Sequence, residues 1–310
     1  MQVVKENTAF ESPRERLSNF FSRGDIFYST DFHLCFVCGG ADPEPGHPPT
    51  LRRRFLDWAA QNAQKLVCVQ AESAVTDLLR RAGERRKAGT LSDIESTIAE
   101  TVDSLLLFPE SPGSFAELGM FSVDKEIAGK MLVTLLPEHQ VDSFLMLGPI
   151  RNVSTESEFS PVPWILTQPL DDSFGKIAER LLGGILKKRG YRRRFTLKAW
   201  KKLKKREQIA VIDCLVYAAG VLTEEDLFFF IGERFGSYDA SSVRLLVGLL
   251  VALDRVAVTD DADMISKANP VLPCFIESEG LELSDVKAVW MTAYGRHLPD
   301  AVRLIREVNP

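Results

Sequence analysis

The segment Gly113-Ser114-Phe115-Ala116-Glu117, entered through Glu110-Ser111-Pro112, is where residue types and spacing first suggest chemistry. Gly113 permits close backbone approach, and the amides that open a helix can hold a phosphate or a sugar oxygen. A carboxylate one turn later can reach an anomeric carbon from the side opposite the leaving base. There it stabilises oxocarbenium-like charge or forms an ester. The same spacing also suits a solvated first-turn acid that complements the helix dipole, and by spacing alone this second reading is the commoner one.

Such a carboxylate needs a scaffold, and the first half of the chain supplies the pattern of one. Apolar runs at 32–38, 65–69, 104–108, 130–136 and 163–167 read as strands. Between them lie helical patterns at 51–64, from Glu72 to about 81, and along Leu91, Ile94, Ile98 and Val102. Strands alternating with helices predict right-handed crossovers and a mostly parallel sheet covered on both faces. Ligands of open sheets sit beyond the carboxyl ends of the strands. Three segments fall on that rim: Cys38-Gly39-Gly40, Gln70-Ala71-Glu72 and the loop Glu110-Ser111-Pro112-Gly113-Ser114. Glu72 is placed either to bind a ribose hydroxyl or to be a surface acid before a helix.

The net charge of −5 hides an uneven distribution. Between 187 and 206 there are twelve Lys or Arg among twenty residues and no acid, whereas 1–186 carries −8 and 207–310 carries −9. The chain therefore divides into 1–170, a basic connecting helix or linker at 171–206, and 207–310. Lys187, Lys188, Arg189, Arg192, Arg193, Arg194, Lys198, Lys201 and Lys202 are candidates for contact with nucleic-acid phosphates, continued by Lys204, Lys205 and Arg206. Tyr191, Phe195 and Trp200 are interleaved and placed to stack on bases. The alternative is a solvated helix face with Trp200 and Leu203 packed inward.

From about 207, Ile209, Ile212 and Val216 share a helical face. Thr223 and Asp226 form a capping-box pattern opening a helix to about 235, and 241–253 is a third helix. A hairpin, 255–259 with 264–267, closes around Asp260-Asp261-Ala262-Asp263. This is the order of a winged helix-turn-helix. Its third helix has one basic residue, Arg244, and its wing is acidic, which argues against a transcription regulator and predicts docking to protein rather than to duplex DNA.

Other classes are excluded by the same reading. Five cysteines suit a reducing compartment; Cys35 and Cys38 sit in a strand-like run without a second pair, so no metal site is expected. The longest apolar run, 245–253, is nine residues, and the first thirty residues lack a secretory pattern. A cytoplasmic protein without a membrane segment is expected. His33 belongs to a buried strand, and His47, His139 and His297 receive no role.

The stretch Leu107-Phe108-Pro109-Glu110-Ser111-Pro112-Gly113-Ser114-Phe115-Ala116-Glu117-Leu118-Gly119 resembles the signature of retron effector proteins with a nucleoside deoxyribosyltransferase-like domain. Phe36-Val37-Cys38-Gly39-Gly40 and Gly148-Pro149-Ile150-Arg151 are similar to two further motifs of that family. The resemblance implies a Rossmann-like sheet domain, a basic connection and a C-terminal winged helix. It also implies an antiphage toxin held in a higher-order assembly with a reverse transcriptase and its multicopy RNA–DNA hybrid. The substrate would be NAD or a related nucleotide, cleaved at its N-glycosidic bond without a cofactor. Carried over by the resemblance, Glu117 matches the catalytic glutamate, Gly39 and Gly40 the phosphate-side turn, and Ser111, Gly113 and Ser114 the ribose-side loop. True deoxyribosyltransferases have an aspartate in this loop where the chain has Ser111 beside Glu110. That departure leaves the acid role open, with Glu110 as a candidate, and argues against base exchange between deoxynucleosides. The rival reading is a non-catalytic, nucleotide-sensing module associated with nucleic acid.

Overall fold

The computed structural model describes residues 7–29, 32–71, 91–187, 192–258, 264–268, 274–280, 283–300 and 302–303. Glu72, Lys188, Arg189 and Tyr191, with the wing acids Asp260, Asp261 and Asp263, lie outside the described residues, as do the side chains of Lys187 and Arg192. The fold is mixed α/β, with one parallel sheet and many helices.

Five strands form the parallel sheet: β1 (His33–Cys38), β2 (Leu66–Val69), β3 (Ser104–Leu107), β4 (Met131–Leu135) and β5 (Trp164–Ile165), in the order β2-β1-β3-β4-β5. Every pairing is parallel, with Cys35 opposite both Cys68 and Ser104, and Leu107 opposite Cys38 and Val133. β1, β3 and β4 are buried at every residue, as strands covered on both faces must be. The helices are α1 (Leu51–Asn62), α2 (Leu91–Thr101), α3 (Pro112–Phe121), α4 (Lys125–Gly129), α5 (Arg151–Glu156) and α6 (Leu170–Lys187). Aromatic rings set the packing: Phe55 lies 5.7 Å from Phe108 and 5.4 Å from Phe174, while Phe36 lies 6.2 Å from Phe121. His33 is buried, its Nε2 2.8 Å from the Ser104 hydroxyl, as a core histidine should be.

The second body departs from the boundaries read in the sequence. It takes in 7–29 as well as the described residues from 192 onward, whereas the first holds 32–71 and 91–187. The helix Glu11–Phe21 and the strand Ile26–Ser29 therefore belong with the C-terminal residues. Ile26–Ser29 is the middle strand of an antiparallel sheet, flanked by β6 (Arg192–Arg194) and by Ile276–Ser278. The segment 171–206 is thus no free connection: its first part is α6, with Phe174, Ile177 and Leu181 buried in the first body. Its second part is β6 and a short turn of helix at Trp200–Lys202.

The remainder runs α7 (Lys205–Ala219), β7 (Val221–Thr223), α8 (Glu224–Phe235), α9 (Ala240–Ala252), β8 (Val256–Val258) and β9 (Met264–Lys267), with β7-β9-β8 as sheet order. Thr223 caps α8 reciprocally with Asp226, as their spacing predicts. Among the described residues no single helix is long and apolar enough to cross a membrane.

Candidate active site

The chain passes from β1 to its neighbour β2, then crosses back to place β3 on the other side of β1. The order therefore reverses between β1 and β3, and the crevice beyond their carboxyl ends is where open α/β sheets bind ligands. The amide of Phe108 donates to the Cys38 carbonyl (2.9 Å) and ties the two strand ends together. Gly39-Gly40 leaves one end, and Pro109-Glu110 leaves the other.

Glu110 fills this junction. Its Oε1 accepts from the amides of Gly40 and Arg52 (3.0 Å each), and its Oε2 from the amide of Leu51 (2.7 Å). The Thr50 hydroxyl accepts from Arg53 and the Thr50 carbonyl from Arg54, so the four amides opening α1 are all satisfied. Crowding requires glycine at 39 and leaves little room at 40. A Cβ on Gly39 would stand 2.6 Å from Arg52 Cβ and 2.9 Å from Glu110 Oε1, and one on Gly40 would stand 3.0 Å from Thr50 Cγ2. The candidate acid is therefore an acceptor in three bonds, and its evident work is to clamp α1 onto the glycine turn. Glu110→Gln should cost about 2 kcal/mol of stability, because one oxygen becomes a donor facing backbone donors. Urea denaturation of the full chain checks this, and an unchanged midpoint would show that the clamp contributes nothing.

The loop from 111 to 114 is shaped by its own hydroxyls. Ser111 caps α3: its Oγ accepts from the Ser114 amide (3.2 Å), and Ser114 Oγ accepts from the amides of Ser111 (2.9 Å) and Glu110 (3.1 Å). Ser114 is buried and donates onward to the Ser111 carbonyl (2.9 Å). These two serines thus build the turn, while Gly113 is exposed at its outer surface. Glu117 follows, half-buried on the same helix, with Leu118 and Phe121 directed into the core.

Glu117 has neighbours that the motif does not show. Burial pushes the thiol of Cys38 well above its ordinary range; the negative charges of Glu117 and Glu95, with Cys35, add to this, and Arg52 opposes it. The end of β1 is therefore within electrostatic reach of Glu117 from α3, Glu95 from α2 and Arg52 from α1. Arg52 is 4% exposed. Its signal in the sequence is positional: in the run Arg52-Arg53-Arg54 it shares the buried face of Phe55 and Ala59. Among the described residues no three His, Cys, Asp or Glu side chains are grouped to hold a metal ion.

The profile of the STM3845 retron effector protein family matches residues 48–258, a span that takes in the glutamate motif and the whole basic segment. The chain belongs to this retron effector family. An Escherichia coli relative, the "Retron Ec73 putative ribosyltransferase/DNA-binding protein", is 24% identical over 275 residues, covering 84% of the effector and 85% of the relative. The Escherichia coli "Retron Ec86 putative ribosyltransferase/DNA-binding protein" is 38% identical over 117 residues, 37% of the effector and 36% of the relative.

The effector's basic segment is divided between its two bodies. Arg193, Arg194, Lys198, Lys201 and Lys202 are exposed. Arg194 Nε donates to the Gly24 carbonyl (2.6 Å), and Lys198 lies 3.7 Å from Glu207. Two of the three expected stacking aromatics are elsewhere. Phe195 and Trp200 are buried, Phe195 6.0 Å from Phe21 and Trp200 5.9 Å from Phe235, so both are core residues. Leu203 is buried as well. The inward-packing alternative holds for these side chains, because a strand paired to Ile26–Ser29 carries the segment over an apolar cluster.

Proposed function

We propose that this effector cleaves the N-glycosidic bond of NAD or a related nucleotide with Glu117 as nucleophile. The observation that carries the reading is the seat of Glu117: half-buried in α3, within reach of the end of β1, at the strand-order reversal of a parallel sheet. In the step envisaged, a Glu117 oxygen bonds to the ribose anomeric carbon as the carbon–nitrogen bond breaks. The bonding pair leaves with the base. For an oxidised nicotinamide the ring nitrogen carries positive charge beforehand, so the base departs neutral and needs no proton. Such a substrate suits a rim where Glu110 is occupied as an acceptor, and a neutral deoxynucleoside suits it less. Water or a macromolecular nucleophile then opens the ester, and its proton passes to solvent. The name ribosyltransferase given to the two relatives is in keeping with this chemistry. Incubation of the purified full chain with NAD, followed by chromatography, tests it. Free nicotinamide accumulating in proportion to protein is expected; its absence together with saturable NAD binding would favour the rival sensing module.

The biological setting we infer is that of a cytoplasmic antiphage toxin controlled by a reverse transcriptase and its RNA–DNA hybrid. We read α7 to β9 as a winged helix. Arg244 on α9 is held by Glu224 through two bonds of 2.8 and 2.7 Å and lies over the Phe228 ring. This supports a protein-docking role for that module, and we read 187–206 as the segment that contacts nucleic acid. If about half of its twelve cations meet phosphates, affinity for the hybrid should fall with a log–log salt slope of about −5. Replacing the exposed Arg193, Lys201 and Lys202 by Ala should flatten that slope by about 3 and reduce co-purification. An unaltered slope would return the segment to the solvated-face reading.

A further inference from the structure

The turn that leads into α3 is held from two sides, and Glu110 stands between them. Upstream, the Phe108 amide donates to the Cys38 carbonyl (2.9 Å), which fixes the end of β3 to the end of β1. The Glu110 carboxylate then accepts from the amides of Gly40 (3.0 Å), Leu51 (2.7 Å) and Arg52 (3.0 Å), joining the glycine turn to the first turn of α1. The fit is close, since a Cβ on Gly40 would stand 3.3 Å from Glu110 Cγ. Downstream, the amides of Glu110 and Ser111 donate to the buried Ser114 Oγ (3.1 and 2.9 Å), which donates in turn to the Ser111 carbonyl (2.9 Å). The Phe115 amide donates to that same carbonyl (3.1 Å) as the helix begins. A run of hydrogen bonds therefore leads from α1 through one residue into the first turn of α3, and Glu117 follows Ser114 by three positions.

We propose that Glu110 is a positioning residue for Glu117 and not the acid of the reaction: it holds the first turn of α3 against the glycine turn, so that the nucleophile meets the anomeric carbon in the right place. This rests on the reading of Glu117 as nucleophile. A group that protonates a leaving base must have a proton to give and must face the base. Three donors converge on the two Glu110 oxygens, and donors are met by an acceptor, not by a further proton. All three belong to backbone, so the carboxylate is turned toward α1. What it can give the reaction is geometry. Attack at a carbon depends steeply on placement, and a shift of about 1 Å costs on the order of a hundredfold in rate.

Nicotinamide release from NAD by the full chain separates the two roles, because that base departs neutral and takes no proton. If Glu110 were an acid, Glu110→Gln would leave NAD cleavage intact. As a positioning residue, its replacement should lower kcat by about tenfold to a hundredfold with KM little changed. The kcat–pH profile should fall evenly and keep its shape, since no titrating participant has been removed. Ser114→Ala cuts the same run downstream and should give the same pattern. The two losses should not multiply: the double variant should fall about as far as the worse single one. An undiminished kcat in folded Glu110→Gln, a loss carried by KM, a limb that vanishes from the profile, or losses that multiply would overturn the proposal. If Glu110→Gln does not fold, Ser114→Ala decides alone, and an unchanged kcat is then the refuting result. Undiminished release by Glu117→Gln would instead remove the nucleophile reading, and a wild-type chain that frees no nicotinamide would remove the proposed activity itself. An inactive Glu117→Gln beside a fully active Glu110→Gln removes only this inference.

Discussion

Glu117→Gln is expected to abolish nicotinamide release, by about three orders of magnitude or more, while leaving the protein folded. The amide is nearly isosteric with the carboxylate but carries no charge. It can neither stabilise a developing cation at the anomeric carbon nor form the ester that divides the reaction into two easier steps. The fold should tolerate the change, because α3 is capped by Ser111 and Ser114 and anchored by Leu118 and Phe121, without the acid. Release measured by chromatography, with growth of a host expressing the variant, checks both halves of the expectation. A soluble Glu117→Gln protein that still frees nicotinamide at the original rate would sink the assignment.

The largest effect on stability is expected at Asp213, in the second body. Its carboxylate is fully buried on α7 and accepts from Arg255 (3.1 Å to each oxygen), from Lys267 (2.8 Å) and from the Phe275 amide (2.9 Å). Arg255 and Lys267 are themselves buried, and the Arg255 guanidinium lies 3.5 Å from the Phe275 ring centroid. The cluster joins α7, the entry to β8, β9 and the segment leading to Ile276–Ser278. Such a cluster is no proof of net stabilisation, since desolvation offsets much of the attraction. Removing this anion is different: Asp213→Asn takes the carboxylate away from two buried cations, at a cost of about 3–5 kcal/mol. Burial works to raise the Asp213 carboxyl, but Arg255 and Lys267 together bring it below its usual value. The charged carboxylate therefore stabilises the fold in full above the unfolded value, near pH 4. That contribution is lost as pH falls through the lower, folded value. The gap between wild type and Asp213→Asn should accordingly narrow on acidification below about pH 4. Urea unfolding followed by the fluorescence of the buried Trp200 and Trp290 measures it; equal stabilities at neutral pH would refute the expectation.

The parallel sheet was legible because its strands are short apolar runs, three of them closed directly by Gly or Pro, and a strand buried on both faces carries that pattern wherever its neighbours lie. The capping box at Thr223 was likewise local, made by side chains three residues apart; the equally local one at Ser111 and Ser114 was seen only in the structure. The second three-stranded sheet was not legible. Ile26–Ser29, Arg192–Arg194 and Ile276–Ser278 are brief segments far apart in the chain, and β6 consists of three arginines that no apolar pattern marks. Pairing across such separations is set by packing rather than local preference. The burial of Phe195 and Trp200 follows from that sheet and was hidden with it.

At the candidate site, the amino-acid sequence determined the composition: a glycine turn, a serine- and glycine-bearing loop that opens a helix, and a glutamate one turn inside it, all at strand ends, together with a basic segment between two acidic stretches of the chain. Which acid does what was left to the tertiary structure. Glu110 and Glu117 are seven positions apart and look alike as residues. Yet Glu110 meets three amides supplied by Gly40, Leu51 and Arg52, while the charge of Glu117, like those of Glu95 and Arg52, acts on the buried Cys38 at the end of β1. A carboxylate's role depends on which donors and charges surround it, and those arrive from elements distant in sequence, through the crossovers that bring α1, α2 and α3 to one end of the sheet.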